Sequence, residues 1–302
     1  MSIGNPKPLH YKLFSLFSVV RGYNILMIVI AQYLAAIFIL GKDYSIREVL
    51  LNFHLFLIIL ASSLAIAAGY IINSFYDTEK DYINRPQKTM LDNYISQKTK
   101  LSVYFILNIL TIVIASYVSF RAVVFFSLYI FGLWFYSHKL KKLPFVGNIT
   151  ASILAITPFF AVFIYYHNFD LVIFIHATYL FLLLTIREIV KDLENLRGDF
   201  AQNYQTIPVV YGIRFTKKII SLLVLFTTIP TLILMTNNFN LGYMNWYFLL
   251  SFVLLVTFLI LIWQAGTKAQ YNKMHNFLKF IIVAGVFSIL LIEIDMVINR
   301  FL

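Results

Sequence analysis

Long apolar runs separated by short polar connections dominate the chain. They lie near residues 14–40, 50–75, 101–119, 121–137, 148–167, 170–190, 216–236, 245–265 and 277–298. A helix crossing a bilayer needs about 20 mostly apolar residues, so the pattern predicts nine transmembrane helices. The runs are continuous rather than alternating, which argues against a transmembrane β-barrel. The junctions near 120 and 168 are so short that their neighbours are expected to form tight antiparallel hairpins. The predicted fold is all-α: a polytopic membrane protein forming one domain over residues 1–302.

Composition narrows this further. Charged residues make up 12% of the chain, against about a quarter in soluble domains. Without cysteine there is no disulfide, thiolate zinc site or cysteine nucleophile. A net charge of +11 invites a nucleic-acid reading, but the basic residues sit in short clusters between apolar runs. That is the signature of membrane topology rather than of nucleic-acid binding. Placing the N-terminus in the cytoplasm puts 20 of the 24 lysines and arginines inside. Only Lys42, Arg47, Arg121 and Arg300 are then left outside. The first apolar run has no small-residue cleavage site behind it, so no removable signal is expected, and the cell inner (plasma) membrane is the expected location.

Two polar segments on the cytoplasmic side stand out. In "NSFYDTEKD", Asn73, Asp77 and Asp81 fall four residues apart and share one side of a helix. In "REIVKDLENLRGD", Glu188, Asp192, Asn195 and Asp199 advance by four, three and four, again along one stripe, flanked by Arg187 and Lys191. Ionised carboxylates at this spacing repel by a few tenths of a kcal/mol, ~0.2–0.5, even on an exposed helix. A cation between the stripes would reverse that balance. Hard oxygen ligands suit Mg²⁺, which binds through carboxylates together with substrate phosphates, while lysine and arginine would cover the remaining phosphate charge. Solvated helix ends with topology-setting charges are the simpler reading of either stripe alone. A membrane transporter with an ion pathway is another, although that requires ionisable groups deep in several helices, and most of the runs have aliphatic middles.

"NSFYDTEKD" followed by "INRP" resembles the first aspartate-rich motif of the UbiA superfamily of intramembrane prenyltransferases. "REIVKDLENLRGD" with "QTIPVVYG", residues 205 to 212, resembles the second motif of that family and the segment after it. The basic "HKLKKLPFVGN" lies between them, and the likeness extends along the whole chain. It implies a helical bundle with a polar cavity at the cytoplasmic face and an Mg²⁺-dependent reaction. A prenyl diphosphate would ionise between the motifs, and a lipophilic acceptor would capture the cation. Asn73, Asp77 and Asp81 would serve one Mg²⁺ subsite, and Glu188, Asp192 and Asp199 the other. Asp77, Asp81, Asp192 and Asp199 are the implied catalytic set. Related sequences often carry aspartate where this chain has Asn195, which shifts weight within the second subsite onto Glu188. Arg21 and Asn24 match a polar pair of the family at the start of its first helix, although Arg21 also suits a topology anchor.

The spelling of the second motif is most similar to the branch whose acceptor is geranylgeranylglycerol phosphate. Prenylation of an aromatic quinone precursor is the alternative within the same chemistry. An acceptor phosphate calls for a further basic site, for which Lys139, Lys141, Lys142 and Arg187 are candidates, while Lys191, flanking the second motif, is a candidate for binding substrate. The three lysines also fit a role in topology. Tyr136 and Tyr76 sit at polar helix ends and are the aromatic candidates for the site. Glu293 and Asp295 are expected to reach the outer interface. His138 and His275 are placed in basic connections, where without clustered His or Cys no transition-metal site is expected.

Overall fold

The computed structural model describes residues 9–41, 44–236, 239 and 241–292. Lys7, Lys42, Glu293, Asp295 and Arg300 lie outside the described residues. Apolar periodicity and capping organise the chain into helices α1 (Leu9–Val19), α2 (Gly22–Ala35), α3 (Ile46–Leu50), α4 (Phe53–Tyr76), α5 (Thr78–Asn84), α6 (Pro86–Asp92) and α7 (Gln97–Val118). These are followed by α8 (Phe120–His138), α9 (Val146–Tyr166), α10 (Leu171–Ala201), α11 (Ile207–Thr236), α12 (Met244–Gln264) and α13 (Lys268–Ser288). Among the described residues, nine helical segments are long and apolar enough to cross a membrane.

Helix α4 is the hub. Ala61, Ala65 and Ala68 are buried along it, and such small residues let helices approach closely where lipid offers no hydrophobic drive. It packs against α2, α7, α8 and α9. Helix α10 is the second hub, contacting α5, α9, α11 and α13. The outward faces remain apolar: Phe105, Ile109 and Tyr117 on α7 and Leu225, Ile229 and Leu232 on α11 are exposed. Stripes this large need lipid around them.

Pro158 stands inside α9 and cannot donate to the carbonyl one turn back. The Tyr129 hydroxyl of α8 supplies the missing donor, at 3.1 Å from Leu154 O. Gln32 of α2 donates to the Pro158 carbonyl at 2.8 Å. The interruption thus ties three helices together.

Several expected boundaries move. The run 14–40 divides at Arg21, whose φ of 52° places it in the left-handed region, so α1 becomes a separate helix. It docks on α6, with Ser15 donating to the Asp92 carbonyl and Ser18 to its carboxylate. The connection 77–100 is not a loop but contains α5 and α6. The second long connection shortens from its start, because α10 continues to Ala201, and a helical turn from Ile207 breaks at Gly212, with φ 81° and ψ 164°, before the rest of α11. Polar residues of α10 kept the helical period after the hydropathy had fallen. His275 belongs to α13 and His138 ends α8, so neither lies in a connection.

Candidate active site

Asp77 caps α4 with φ −92° and ψ 3°, and the axis bends there. The Thr78 hydroxyl accompanies the bend by donating to the Ser74 carbonyl at 2.9 Å, a back-bond that often bends helices. The four-residue ladder nevertheless continues, from Asp77 N to Asn73 O at 3.0 Å and from Asp81 N to Asp77 O at 2.8 Å. The three polar residues therefore remain on one side although two helices carry them.

Their surroundings differ. Asn73 Oδ1 accepts from Lys141 at 3.2 Å. Asp77, only 5% exposed, meets Lys141 Nζ at 2.8 Å and Lys80 Nζ at 3.5 Å, and its Oδ1 accepts from the Tyr204 hydroxyl at 3.0 Å. Asp81 is half-buried, with no side-chain hydrogen bond or ion pair among the described residues.

On α10, Asp192 Oδ2 accepts from Asn148 Nδ2 of α9 at 2.7 Å. Asp199, 1% exposed, lies 3.3 Å from Lys80 Nζ and accepts from Thr206 at 3.4 Å. Lys80 thus bridges the two acidic segments, resting 4.4 Å above the Tyr204 ring. Burial pushes the Asp77 carboxyl up, but Lys80 and Lys141 outweigh it and hold the group well below the usual carboxylate range. Burial pulls Lys80 down, and Asp77 and Asp199 more than reverse this. Both groups are charged at neutral pH. A Tyr204→Phe change keeps the ring under Lys80 while deleting one bond to a buried carboxylate. It is expected to lower stability by about 1.5–3 kcal/mol, read as a reduced melting temperature in detergent.

Two further contacts dock the motifs on each other. Asn84 donates to Asn195 O at 3.2 Å and accepts from Gly198 N at 3.2 Å, while Lys268 caps the Asn84 carbonyl. Arg85 pairs with Glu194 at 3.0 Å, and His275 Nδ1 approaches the same carboxylate at 3.1 Å. The "INRP" stretch is therefore a clamp between α5 and α10.

The remaining sequence candidates separate. Tyr136 feels the charges of Glu188, Asp192 and Asp77. Lys139 is exposed, with no side-chain contact among the described residues. Lys142 is also exposed, and reaches the Tyr204 ring at 5.2 Å. Their neighbour Lys141, considered only for an acceptor phosphate, is the buried one that holds Asp77. Arg21 rests 5.1 Å from the Tyr70 ring, and Asn24 donates to the Tyr70 hydroxyl at 3.3 Å. Tyr76 faces His138, ring centroids 5.3 Å apart. Glu188 pairs with Lys191 at 2.6 Å and with Arg187 at 3.6 Å. Sequence reasoning gave no role to Lys80, Asn148, Glu194 or Tyr204. Of these, Lys80 and Glu194 lay inside the motifs and were legible as charges without partners.

Among the described residues, no group of three or more acidic or histidine side chains is preassembled for a metal. Lys80 and Lys141 bring positive charge to the acidic segments instead. The donors nonetheless fit Mg²⁺. All are hard oxygens, and one of them, Asn195 Oδ1, is buried without a hydrogen-bond donor among the described residues, leaving lone pairs that a cation would satisfy.

Comparison with known proteins matches residues 20–286 to the UbiA prenyltransferase family. The digeranylgeranylglyceryl phosphate synthase of Methanobrevibacter smithii is 30% identical over 86% of this chain and 91% of its own length. That of Saccharolobus solfataricus is 31% identical over 77% and 82%. Among solved structures, a digeranylgeranylglyceryl phosphate synthase aligns with a TM-score of 0.71 at 21% identity, covering 94% of this chain and 99% of that one. A UbiA homologue from Archaeoglobus fulgidus, bound to GPP and Mg²⁺, aligns with a TM-score of 0.65 at 15% identity, covering 91% and 99%.

Proposed function

The chain belongs to the UbiA prenyltransferase family, and we propose that it transfers a geranylgeranyl group from its diphosphate to the free hydroxyl of geranylgeranylglycerol phosphate. It is a multi-pass membrane enzyme, and family membership removes the transporter alternative. The acceptor is drawn from relatives bearing the digeranylgeranylglyceryl phosphate synthase name. The observation that carries the chemistry is the pair of carboxylate segments joined through Lys80, with Lys141 beside them. We place this cavity at the cytoplasmic face, on the distribution of basic residues.

Asp77, Asp81, Asp192 and Asp199, with the amide oxygens of Asn73 and Asn195, would hold Mg²⁺ against the donor. When bound, Mg²⁺ supplies Lewis-acid stabilisation of the departing diphosphate. Lys80 and Lys141 orient and neutralise the same diphosphate as its bond to the allylic carbon breaks and the electron pair leaves with oxygen. The acceptor oxygen forms the new ether bond, and its proton passes to the diphosphate. Asn148 and Tyr204 keep Asp192 and Asp77 in place, and the surrounding apolar helices limit capture of the cation by water.

Purified protein given geranylgeranyl diphosphate and geranylgeranylglycerol phosphate is expected to release diphosphate and form the diether. EDTA should abolish both, and Mg²⁺ should restore them. Turnover of a hydroxybenzoate or naphthoate with none of the glycerol phosphate lipid would overturn the acceptor assignment. EDTA-insensitive turnover would overturn the metal assignment.

A further inference from the structure

Apart from the two acidic segments, the structure holds a pocket of about 340 Å³ with the opposite character. Six cationic side chains line it: Arg21, Arg85, Lys88, Arg187, Lys191 and Lys279. No carboxylate does. Glu188, Glu194 and Asp92 pair with four of the six from outside the lining, so three carboxylates face six cations. Arg21 and Lys279 rest on tyrosine rings instead, at 5.1 Å and 4.9 Å. Arg187 Nε is buried with no hydrogen-bond partner among the described residues. An excess of positive charge with an unsatisfied guanidinium donor calls for an anion such as a phosphate monoester, which guanidinium groups bind well.

Three of the helices that line this pocket, α2, α10 and α13, also line an apolar cavity of about 150 Å³. On α10 the stripe Arg187, Leu183, Leu180, His176, Ile173 passes from pocket to cavity at steps of four, three, four and three. On α13 Lys279, Ile282 and Val286 do the same, with Ile289 just beyond its end, and on α2 Asn24 is followed by Ala31 and Ala35. From Arg187 to Ile173 the helix rises about 21 Å. A charged head at one end and an apolar trough at the other match an amphiphile with a phosphate and a prenyl tail.

The acidic residues of α10 stand on an adjoining face of the same helix. Asp192 and Asp199 lie about 120–140° around the helix from Arg187, facing Asn148 and Lys80. A donor diphosphate held through a divalent cation needs that acidic face. A lipid phosphate held by cations alone needs the other.

We infer that α2, α10 and α13 form the acceptor channel, with the acceptor's phosphate in the cationic pocket and its prenyl tail along the apolar cavity. The inference rests on the reading above that the acceptor is a prenylated glycerol phosphate. The free hydroxyl, next to the phosphate-bearing carbon, is then presented past Lys191 toward the donor.

The test pairs a head variant, Lys279→Met, with a tail variant, Val286→Trp, in the full-length protein. Both are assayed with geranylgeranylglycerol phosphate and with geranylgeranylglycerol, which lacks the phosphate. Lys279→Met is expected to raise KM for the phosphorylated acceptor about tenfold or more, and this penalty should vanish with the phosphate-free acceptor. Val286→Trp is expected to raise KM for both acceptors, with donor KM unchanged in either variant. Arg187→Met provides a second head variant and should behave like Lys279→Met. A rise in donor KM in place of acceptor KM would assign the pocket to the diphosphate and overturn the inference, as would unchanged constants throughout. Failure of the parent to use geranylgeranylglycerol phosphate would instead remove the functional reading itself, so the two failures separate.

Discussion

An Asp77→Ala substitution should lower prenyl transfer by more than about 100-fold, since even loss of a group that only supports a metal ligand costs 10–100-fold. The same change strands Lys141, whose ion pair is with Asp77. Removing one partner of a buried pair costs about 3–5 kcal/mol, so Asp77→Ala should also melt well below the parent in detergent. Lys80 is affected less, because Asp199 remains beside it. The two consequences separate in the double variant Asp77→Ala/Lys141→Met, where no unpaired ammonium is left. Thermal stability should then recover substantially while transfer stays low. Recovery of transfer together with stability would mean that Asp77 serves only to neutralise lysine. Melting curves with and without Mg²⁺ and diphosphate, run beside the transfer assay, make the comparison.

The second large effect belongs to a residue that has no side chain of its own. Gly198 lies inside α10, where alanine would ordinarily be favoured by about 1 kcal/mol. Here a Cβ would stand 2.3 Å from Asn84 Nδ2 and 2.7 Å from its Cγ, and the Asn84 side chain is held by bonds to both Asn195 and Gly198. Gly198→Ala must therefore push α5 away from α10 or break that clamp. Overpacking of this kind costs about 1–3 kcal/mol, and the lost bonds add to it. Because α5 carries Lys80 and Asp81, the displacement should also depress transfer severely. Asn84→Ala removes the obstacle along with the clamp. The double variant should then be no less stable than Asn84→Ala alone, a non-additivity expected only of residues in contact. Additive losses would mean that the close approach is not what requires glycine at 198.

Much of this protein was legible without coordinates. The nine apolar segments and the two polar stripes rest on local regularities, the length of a hydrophobic run and the 3.6-residue period. Asn73, Asp77 and Asp81 keep one side even across a bend, because the hydrogen-bond ladder is not interrupted there. The break at Arg21 escaped because hydropathy is blind to a single left-handed residue. The end of α10 escaped because polar side chains preserve a helical period that an apolar count cannot see. Periodicity says which residues share a face of their own helix, and nothing about which helix meets that face. The packing of the whole bundle made that choice: Lys141 to Asp77, Lys80 between Asp77 and Asp199, and Asn84 against Gly198. It also turned Arg187 and Lys279 away from the acidic cleft and into a common pocket. Each of these contacts joins residues from separate helices or distant stretches of chain, so it exists only once burial has fixed how the helices are rotated against one another.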